Sequence, residues 1–367
     1  VVFGSSSQPL AAVHDVALLD LDGVVYIGRG AVPHAAAALD SAAAVHGMRS
    51  AFVTNNAARP PEVVAEHLVE LGVRAEPGDV VTSAQAGARL VAQRVPAGSR
   101  VLVIGGPGVP AALRERGLVP VESVDDEPVA VMQGFGPKVG WKQLAEGSLA
   151  IERGLLWVAT NVDATIPSPR GRVLGNGSLV AALRHATGAE PLVAGKPLPP
   201  LMEESVERSG ALRPIVVGDR LDTDIEGANA SGIPSLLVLT GVTDWQDLVG
   251  VEPRFRPTYL DLDLRGLLRA QPEVTVEREG DALVARCADV VVRVPVQADT
   301  TPVPGSPGTP LTEAADPTWW LPEAARTPVV GGPWEDADLG LARALLALSW
   351  AAADAGLVVV AAAEILA

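Results

Sequence analysis

The sequence predicts an α/β protein. It has a Rossmann-like parallel-sheet core, a second α/β unit inserted into that core, and a small α+β unit at the C-terminal end. Three observations predict it. Short apolar runs that stop at polar or acidic residues alternate with helix-patterned stretches from Val16 to Leu239, the pattern of an open, helix-covered sheet. The 367 residues exceed one ordinary domain and suit two or three. After Arg265 the alternation gives way to paired apolar stretches joined by Gly280-Asp281, which read as a hairpin.

Residues 16–20, Val-Ala-Leu-Leu-Asp, form an apolar run ending in a carboxylate and predict a buried parallel strand. A helix over 33–46 ends at Gly47, a strand over 50–54 stops at Asn55-Asn56, and Pro60-Pro61 opens a helix that ends at Gly72. A strand over 101–104 runs into Gly105-Gly106-Pro107-Gly108. This lacks the full glycine spacing and downstream acid of a dinucleotide site, so it reads as a plain strand-to-helix turn. Strands over 129–133 and 156–160 flank a helix over 141–153. A helix over 179–187 closes at Gly188, and a short strand over 192–194 leads into Gly195-Lys196-Pro197. A helix over 200–209, a strand over 215–217 ending at Gly218-Asp219, a helix over 225–231 and a strand over 236–239 ending at Thr240-Gly241 complete the alternation. Beyond it, strands are expected over 274–279, 282–287 and 290–296, a loop over 297–312, a helix over 337–355 and a strand over 357–360.

Composition excludes several classes. The net charge of −16 opposes a nucleic-acid partner and an anionic membrane surface. The apolar helical stretch over 344–353 is far too short to span a bilayer. No secretory signal is visible over the first ten residues. With Cys287 as its one cysteine the chain can form no intramolecular disulfide and no cysteine-based metal site, so a cytoplasmic, reducing location is expected.

Four fragments fall at the C-terminal ends of expected strands, where open α/β sheets bind ligands. They are Asp20-Leu21-Asp22-Gly23-Val24, Thr54-Asn55-Asn56, Gly195-Lys196-Pro197, and Gly218-Asp219-Arg220-Leu221-Asp222-Thr223-Asp224. On an extended backbone Asp20 and Asp22 would share a face. Carboxylates that close repel, and Asp219 and Asp224 add further negative charge, so a hard, oxygen-liganded divalent ion such as Mg²⁺ is expected among them. Lys196 supplies a point cation and Thr54 an oriented hydroxyl, the donors a transferring phosphoryl group needs on its equatorial oxygens. One carboxylate can then attack phosphorus while a second moves the proton.

In this order the four fragments resemble the four motifs of the haloacid dehalogenase superfamily. The fit is to its p-nitrophenyl phosphatase and phosphoglycolate phosphatase branch, and it covers roughly residues 10–265. Thr-Asn-Asn-Ala-Ala-Arg at 54–59, Ala-Thr-Asn-Val-Asp at 159–163 and Gly-Asp-Arg-Leu-Asp-Thr-Asp-Ile at 218–225 support it. The second acid, Asp22, sets the chain apart from haloalkanoic dehalogenases, which lack it.

The resemblance implies Asp20 as nucleophile and Asp22 as general acid/base. It implies Thr54, Asn55 and Lys196 on the phosphoryl group, and Mg²⁺ held by the Asp20 carboxylate, the Asp22 backbone carbonyl and Asp219. Asp224 would be an outer-shell residue orienting Lys196 or a metal-bound water. The implied domains are a catalytic core over 10–83 and 195–265, an inserted cap over 84–194, and a C-terminal α+β domain over 266–367. Asn161 and Asp163 match a cap-associated motif and are either substrate contacts or turn formers. Val162 stands where the family usually has proline.

The C-terminal segment resembles a GNAT-type appendage of related actinobacterial phosphatases. It lacks an intact pyrophosphate-binding loop, so a structural or dimerising role is expected rather than acetyl transfer. Through those relatives the implied substrate is a small phosphorylated metabolite, glycerol 3-phosphate first, with phosphoglycolate, pyridoxal phosphate and nucleoside monophosphates as alternatives. A phosphotransferase and a non-catalytic binding protein on the same fold are the rival readings, and homo-oligomerisation is left open. Asp222, Arg59 and Arg220 read as surface groups, and Trp319, Trp320 and Trp334 as packing residues of the C-terminal unit.

Overall fold

A computed structural model describes residues 3–168, 170–298, 321, 336–359 and 363–366. Trp319, Trp320, Trp334 and the greater part of the loop expected over 297–312 lie outside the described residues.

The core sheet has six parallel strands in the order Tyr259–Asp261, Ser235–Val238, Pro214–Gly218, Val16–Leu19, Arg49–Thr54 and Val80–Thr82. The chain enters at Val16–Leu19, winds outward through Arg49–Thr54 and Val80–Thr82, and later returns to the other side of its first strand. The crevice between Val16–Leu19 and Pro214–Gly218 is therefore the topological switch point, the place where such sheets open to receive ligands. Every residue of Val16–Leu19 is buried, as expected of a strand covered by helices on both faces. Ala35–His46 ends at Gly47 in the left-handed region, and Asn176–Thr187 ends the same way at Gly188, the helix stops read from the sequence.

The inserted unit has its own five-stranded parallel sheet, in the order Leu192–Val193, Leu156–Ala159, Ala130–Gln133, Arg100–Ile104 and Val119–Val121. The turn at 105–108 opens the helix Gly108–Glu115, the strand-to-helix turn read from the sequence. The C-terminal strands Val274–Glu279, Ala282–Cys287 and Val290–Ala298 pair antiparallel, with Leu357–Val359 and Glu364–Leu366 both added to Val290–Ala298. Cys287 is buried in this sheet.

The C-terminal unit packs directly against the core. Val292, Val294, Leu345 and Trp350 share one hydrophobic cluster with Leu237, Trp245, Leu248 and Leu260 of the core. Among the described residues no helix is long and apolar enough to cross a membrane.

Candidate active site

The first strand stops at Leu19, yet the Asp20 N–H still donates to Val217 O at 2.9 Å. The last ladder bond thus fixes Asp20 on the lip of the switch-point crevice. The neighbouring strand delivers Asp219 to the same lip. Asp20, Asp219 and Asp224 bring carboxylate oxygens within 4.8 Å of one another. Gly23 makes this possible. It turns the chain at φ 86°, and a Cβ there would lie 2.3 Å from Asp219 Oδ2, so only glycine fits.

Lys196 enters this acidic group from the junction between the inserted unit and the core. Its Nζ donates to Asp20 Oδ1 at 2.5 Å and Asp224 Oδ1 at 2.7 Å. The side chain is buried. Burial works against its charge, but Asp20 and Asp224 outweigh that and hold the ammonium above its usual range. Asp224 is used on both oxygens, because its Oδ2 accepts the Arg220 N–H. Asp219 is not. Its Oδ2 accepts the Val242 N–H at 2.7 Å, whereas its Oδ1 is buried with no hydrogen-bond partner among the described residues. A buried, unsatisfied carboxylate oxygen beside two further carboxylates has the chemistry of a hard-cation ligand.

Thr54 and Asn55 sit where the next strand ends. The Thr54 Oγ1 accepts the Asn56 N–H at 3.1 Å, and Asn56 Oδ1 accepts the Ala58 N–H at 2.8 Å. Both N–H groups are thus committed within the turn that follows the strand. The Asn55 side chain is committed elsewhere. Its Oδ1 accepts the Lys196 N–H, and its Nδ2 donates to Lys196 O and Asp163 Oδ2. Only the Asn55 backbone N–H is left to face a phosphoryl group.

Asn161 and Asp163 reach the site through Asn55. The Asn161 amide donates to Asn55 O at 2.7 Å, and Ser83 Oγ donates to the same oxygen at 2.6 Å. Asn176 in turn donates to Asn161 O. Both chain crossings between core and inserted unit are thereby tied to the Thr54–Asn56 loop.

Asp22 lies in a turn past the strand, bridged to Tyr26, and is exposed. The strand has already ended at Leu19, and Asp22 is not among the three carboxylates brought together. Although the residue keeps an exposed surface, the protein crowded around its carboxyl partly desolvates it and raises its pKa, against the pull of Arg59 and His67. Arg220 is paired bidentately with Asp222 at 2.8 and 3.1 Å; both were read from the sequence as surface groups. Val242, Ser83 and Asn176 escaped sequence reading. The one available signal for Val242 was that Thr240-Gly241 ends a strand beside Asp219.

Burial, with Asp224 adding to it, raises Asp20 to about 7 in spite of Lys196. The same two causes raise Asp219 to about 6. These folded-state values exceed the ordinary carboxylate value. The stability these groups contribute is therefore complete below about pH 4 and is lost as pH rises to about 7. A cation competes with those protons. The melting temperature in EDTA should fall across this window, and the increase given by a divalent cation should grow across it. Differential scanning calorimetry at several pH values checks both; a metal-induced shift independent of pH would contradict the site.

A carboxylate held by a buried lysine, at a switch point with an acidic cation pocket, defines a phosphoryl-transfer site on a Rossmann-like core. The chain belongs to the haloacid dehalogenase-like hydrolase family: residues 17–119 match the model of that description, and residues 193–267 match a second, HAD-hydrolase-like model. It is 52% identical over 260 residues to the D-glycerol 3-phosphate phosphatase of Mycobacterium tuberculosis, covering 71% of this chain and 72% of the relative. It is 36% identical over 250 residues to the acid sugar phosphatase of Staphylococcus aureus, covering 67% and 94%. The crystal structure of the M. tuberculosis glycerol phosphate phosphatase in complex with magnesium superposes with a TM-score of 0.71 at 48% identity, covering 77% of this chain and 88% of that one. The 4-nitrophenylphosphatase of Thermotoga maritima superposes at 0.65 with 29% identity, covering 71% and 98%. The chain is a phosphatase of this family, with an acidic triad that could hold a metal.

Proposed function

We propose that this protein is a Mg²⁺-dependent phosphomonoester hydrolase that acts on glycerol 3-phosphate through an aspartyl-phosphate on Asp20. The observation that carries the reaction class is the pairing of Asp20 with Lys196 beside the unsatisfied oxygen of Asp219. The likeness to the M. tuberculosis enzyme supports the substrate. Residues 10–83 and 195–265 act as the catalytic core, 84–194 as the cap and 266–367 as the C-terminal domain. A reducing, cytoplasmic setting fits the single buried cysteine.

The Asp20 carboxylate attacks phosphorus in line, and the P–O bond to the alcohol breaks. Asp22, whose raised pKa favours keeping a proton, gives that proton to the departing alkoxide. Asp22 then takes a proton from water, which attacks phosphorus and frees Asp20 and inorganic phosphate. Lys196, the Thr54 hydroxyl and the Asn55 N–H hold the equatorial oxygens. The Asp20 carboxylate, the Asp22 carbonyl and Asp219 would hold Mg²⁺, which would supply positive charge to the phosphoryl oxygens. Asp224 keeps Lys196 in place.

Asp22→Asn should lower kcat by about 10²–10⁴-fold, the ordinary contribution of a positioned proton carrier. The loss in kcat/KM, which reports transfer of the phosphoryl group to Asp20, should shrink for an aryl phosphate, whose leaving group needs no proton. Equal losses in kcat/KM with alkyl and aryl esters would remove Asp22 from the acid role.

The substrate is tested by phosphate release from a panel of phosphometabolites with Mg²⁺. Glycerol 3-phosphate should give the highest kcat/KM, above phosphoglycolate, pyridoxal phosphate and nucleoside monophosphates. Transfer to an added alcohol in place of phosphate release would favour the phosphotransferase reading.

A further inference from the structure

We propose that the C-terminal helix Asp336–Asp354 is a positioning element of the metal site, holding the loop that aims the Asp219 carboxylate. The inference rests on the reading of Asp219 as a metal ligand.

Asp219 is held from one side only. Apart from the Val242 N–H, no hydrogen-bond donor reaches its carboxylate among the described residues. The Thr243 N–H donates to its backbone carbonyl at 3.2 Å. Gly241 lies so close that a Cβ there would sit 2.0 Å from Asp219 Oδ2. Residues 240–243 thus form the wall and the single donor that set where Oδ1 points. Val242 itself is 69% exposed, so nothing on its outer side presses this wall into place.

The loop is pinned at its two ends instead. At the start, Thr240 Oγ1 donates to Gly23 O at 2.5 Å, which ties it to the turn after Asp20. At the far end lies the turn Trp245–Leu248, capped by Asp244, against which the C-terminal helix packs. Trp350 Nε1 donates to Leu248 O at 2.8 Å, and Ser349 Oγ accepts the Gly250 N–H at 3.3 Å. Arg256 donates to Val251 O at 3.0 Å and pairs bidentately with Asp354 at 2.7 and 2.8 Å. Its guanidinium lies 5.4 Å from the Trp350 ring centroid. One turn and a half of this helix, Ser349 to Asp354, therefore grips residues 248–256. Trp245 and Leu248 are buried in the cluster that the helix completes.

Buried groups that hold a ligand carboxylate in place tune metal affinity. Trp350 acts one step further out, through Leu248 and the loop. Removing its donor should therefore cost less than removing a direct partner, about 3- to 10-fold in metal affinity.

The test is the Mg²⁺ dissociation constant, measured by titration calorimetry on the full chain well below its melting temperature. Trp350→Phe deletes the donor to Leu248 O. Asp354→Asn weakens the Arg256 pair at a half-exposed position and so keeps the fold. Both should weaken Mg²⁺ binding by about 3- to 10-fold, with KM for the phosphate ester little changed and kcat recovering at high Mg²⁺. Arg343→Met is the control. Arg343 is on the same helix but donates to Leu260 O and Gln271, away from the loop; it should lower the melting temperature and leave Mg²⁺ affinity unaltered. Asp219→Asn is measured in parallel and should abolish Mg²⁺ binding. Loss of binding in Asp219→Asn with wild-type affinity in Trp350→Phe and Asp354→Asn overturns the positioning role alone. Wild-type affinity in Asp219→Asn overturns the metal-site reading and this inference with it.

Discussion

Asp20→Asn should reduce turnover on the order of 10⁴–10⁶-fold, as loss of a nucleophile does in other covalent enzymes, while leaving a folded protein. The argument is geometric. Asp20 is the one carboxylate of the acidic group that is partly open to the crevice; Asp219 and Asp224 are fully buried. It is also hydrogen-bonded to Lys196, which keeps an anion in place until phosphorus approaches. An amide of the same shape keeps the packing and one acceptor for Lys196 but cannot form the phosphoryl bond. Steady-state phosphate release and the melting temperature, measured on the same preparation, check it. Activity within about tenfold of wild type would remove Asp20 from the nucleophile role.

Lys196→Met should be nearly as damaging and should also be unstable. Lys196 is the cation that pairs Asp20 and Asp224 in a buried setting. Removing one partner of a buried pair costs about 3–5 kcal/mol, because the charges left behind have no compensation. Asp20 is a carboxylate already raised by burial, and loss of Lys196 raises it further. The sign follows directly. A carboxylate whose folded pKa rises is tolerated when protonated and resisted when ionised. The destabilisation measured by urea melts in EDTA should therefore be small near pH 5 and large near pH 8, each to about a unit. Activity should fall by about 10²–10³-fold through the lost phosphoryl contact, and its acid limb should move to higher pH. Equal destabilisation at both pH values would contradict the pairing. Lys196→Arg should not rescue, because a planar guanidinium does not fit a site built for a point charge.

Much of this was legible in the sequence, for identifiable reasons. Val16–Leu19 and Pro214–Gly218 are long enough in apolar residues, and abrupt enough in their acidic ends, to announce both the strands and the lip where Asp20 and Asp219 sit. The hairpin Val274–Glu279 and Ala282–Cys287 was fixed by its Gly280-Asp281 turn. Short strands were harder. Val80–Thr82 and Tyr259–Asp261 are three residues each and owe their pairing to neighbours rather than to a pattern of their own. A shared face for Asp20 and Asp22 required an extended backbone past the strand, and the strand ends at Leu19. The roles of Asn55 and Val242 were out of reach. Asn55 turns its amide to the Lys196 backbone, and Val242 acts through its N–H; neither contact is written in a residue type.

The C-terminal unit carried the weakest sequence signal, yet it joins the core through Trp350 and the Arg256–Asp354 pair. Its place in the molecule came from contacts between segments distant in sequence, which no local pattern encodes.

The central claim is a covalent phosphoryl group on Asp20, and the stereochemical course at phosphorus tests it most directly. A phosphomonoester made chiral at phosphorus with oxygen isotopes and sulfur is hydrolysed by the wild-type enzyme, and the configuration of the product is read. Two successive in-line displacements, by Asp20 and then by water, predict overall retention. Inversion would mean that water attacks the substrate directly and would contradict the account.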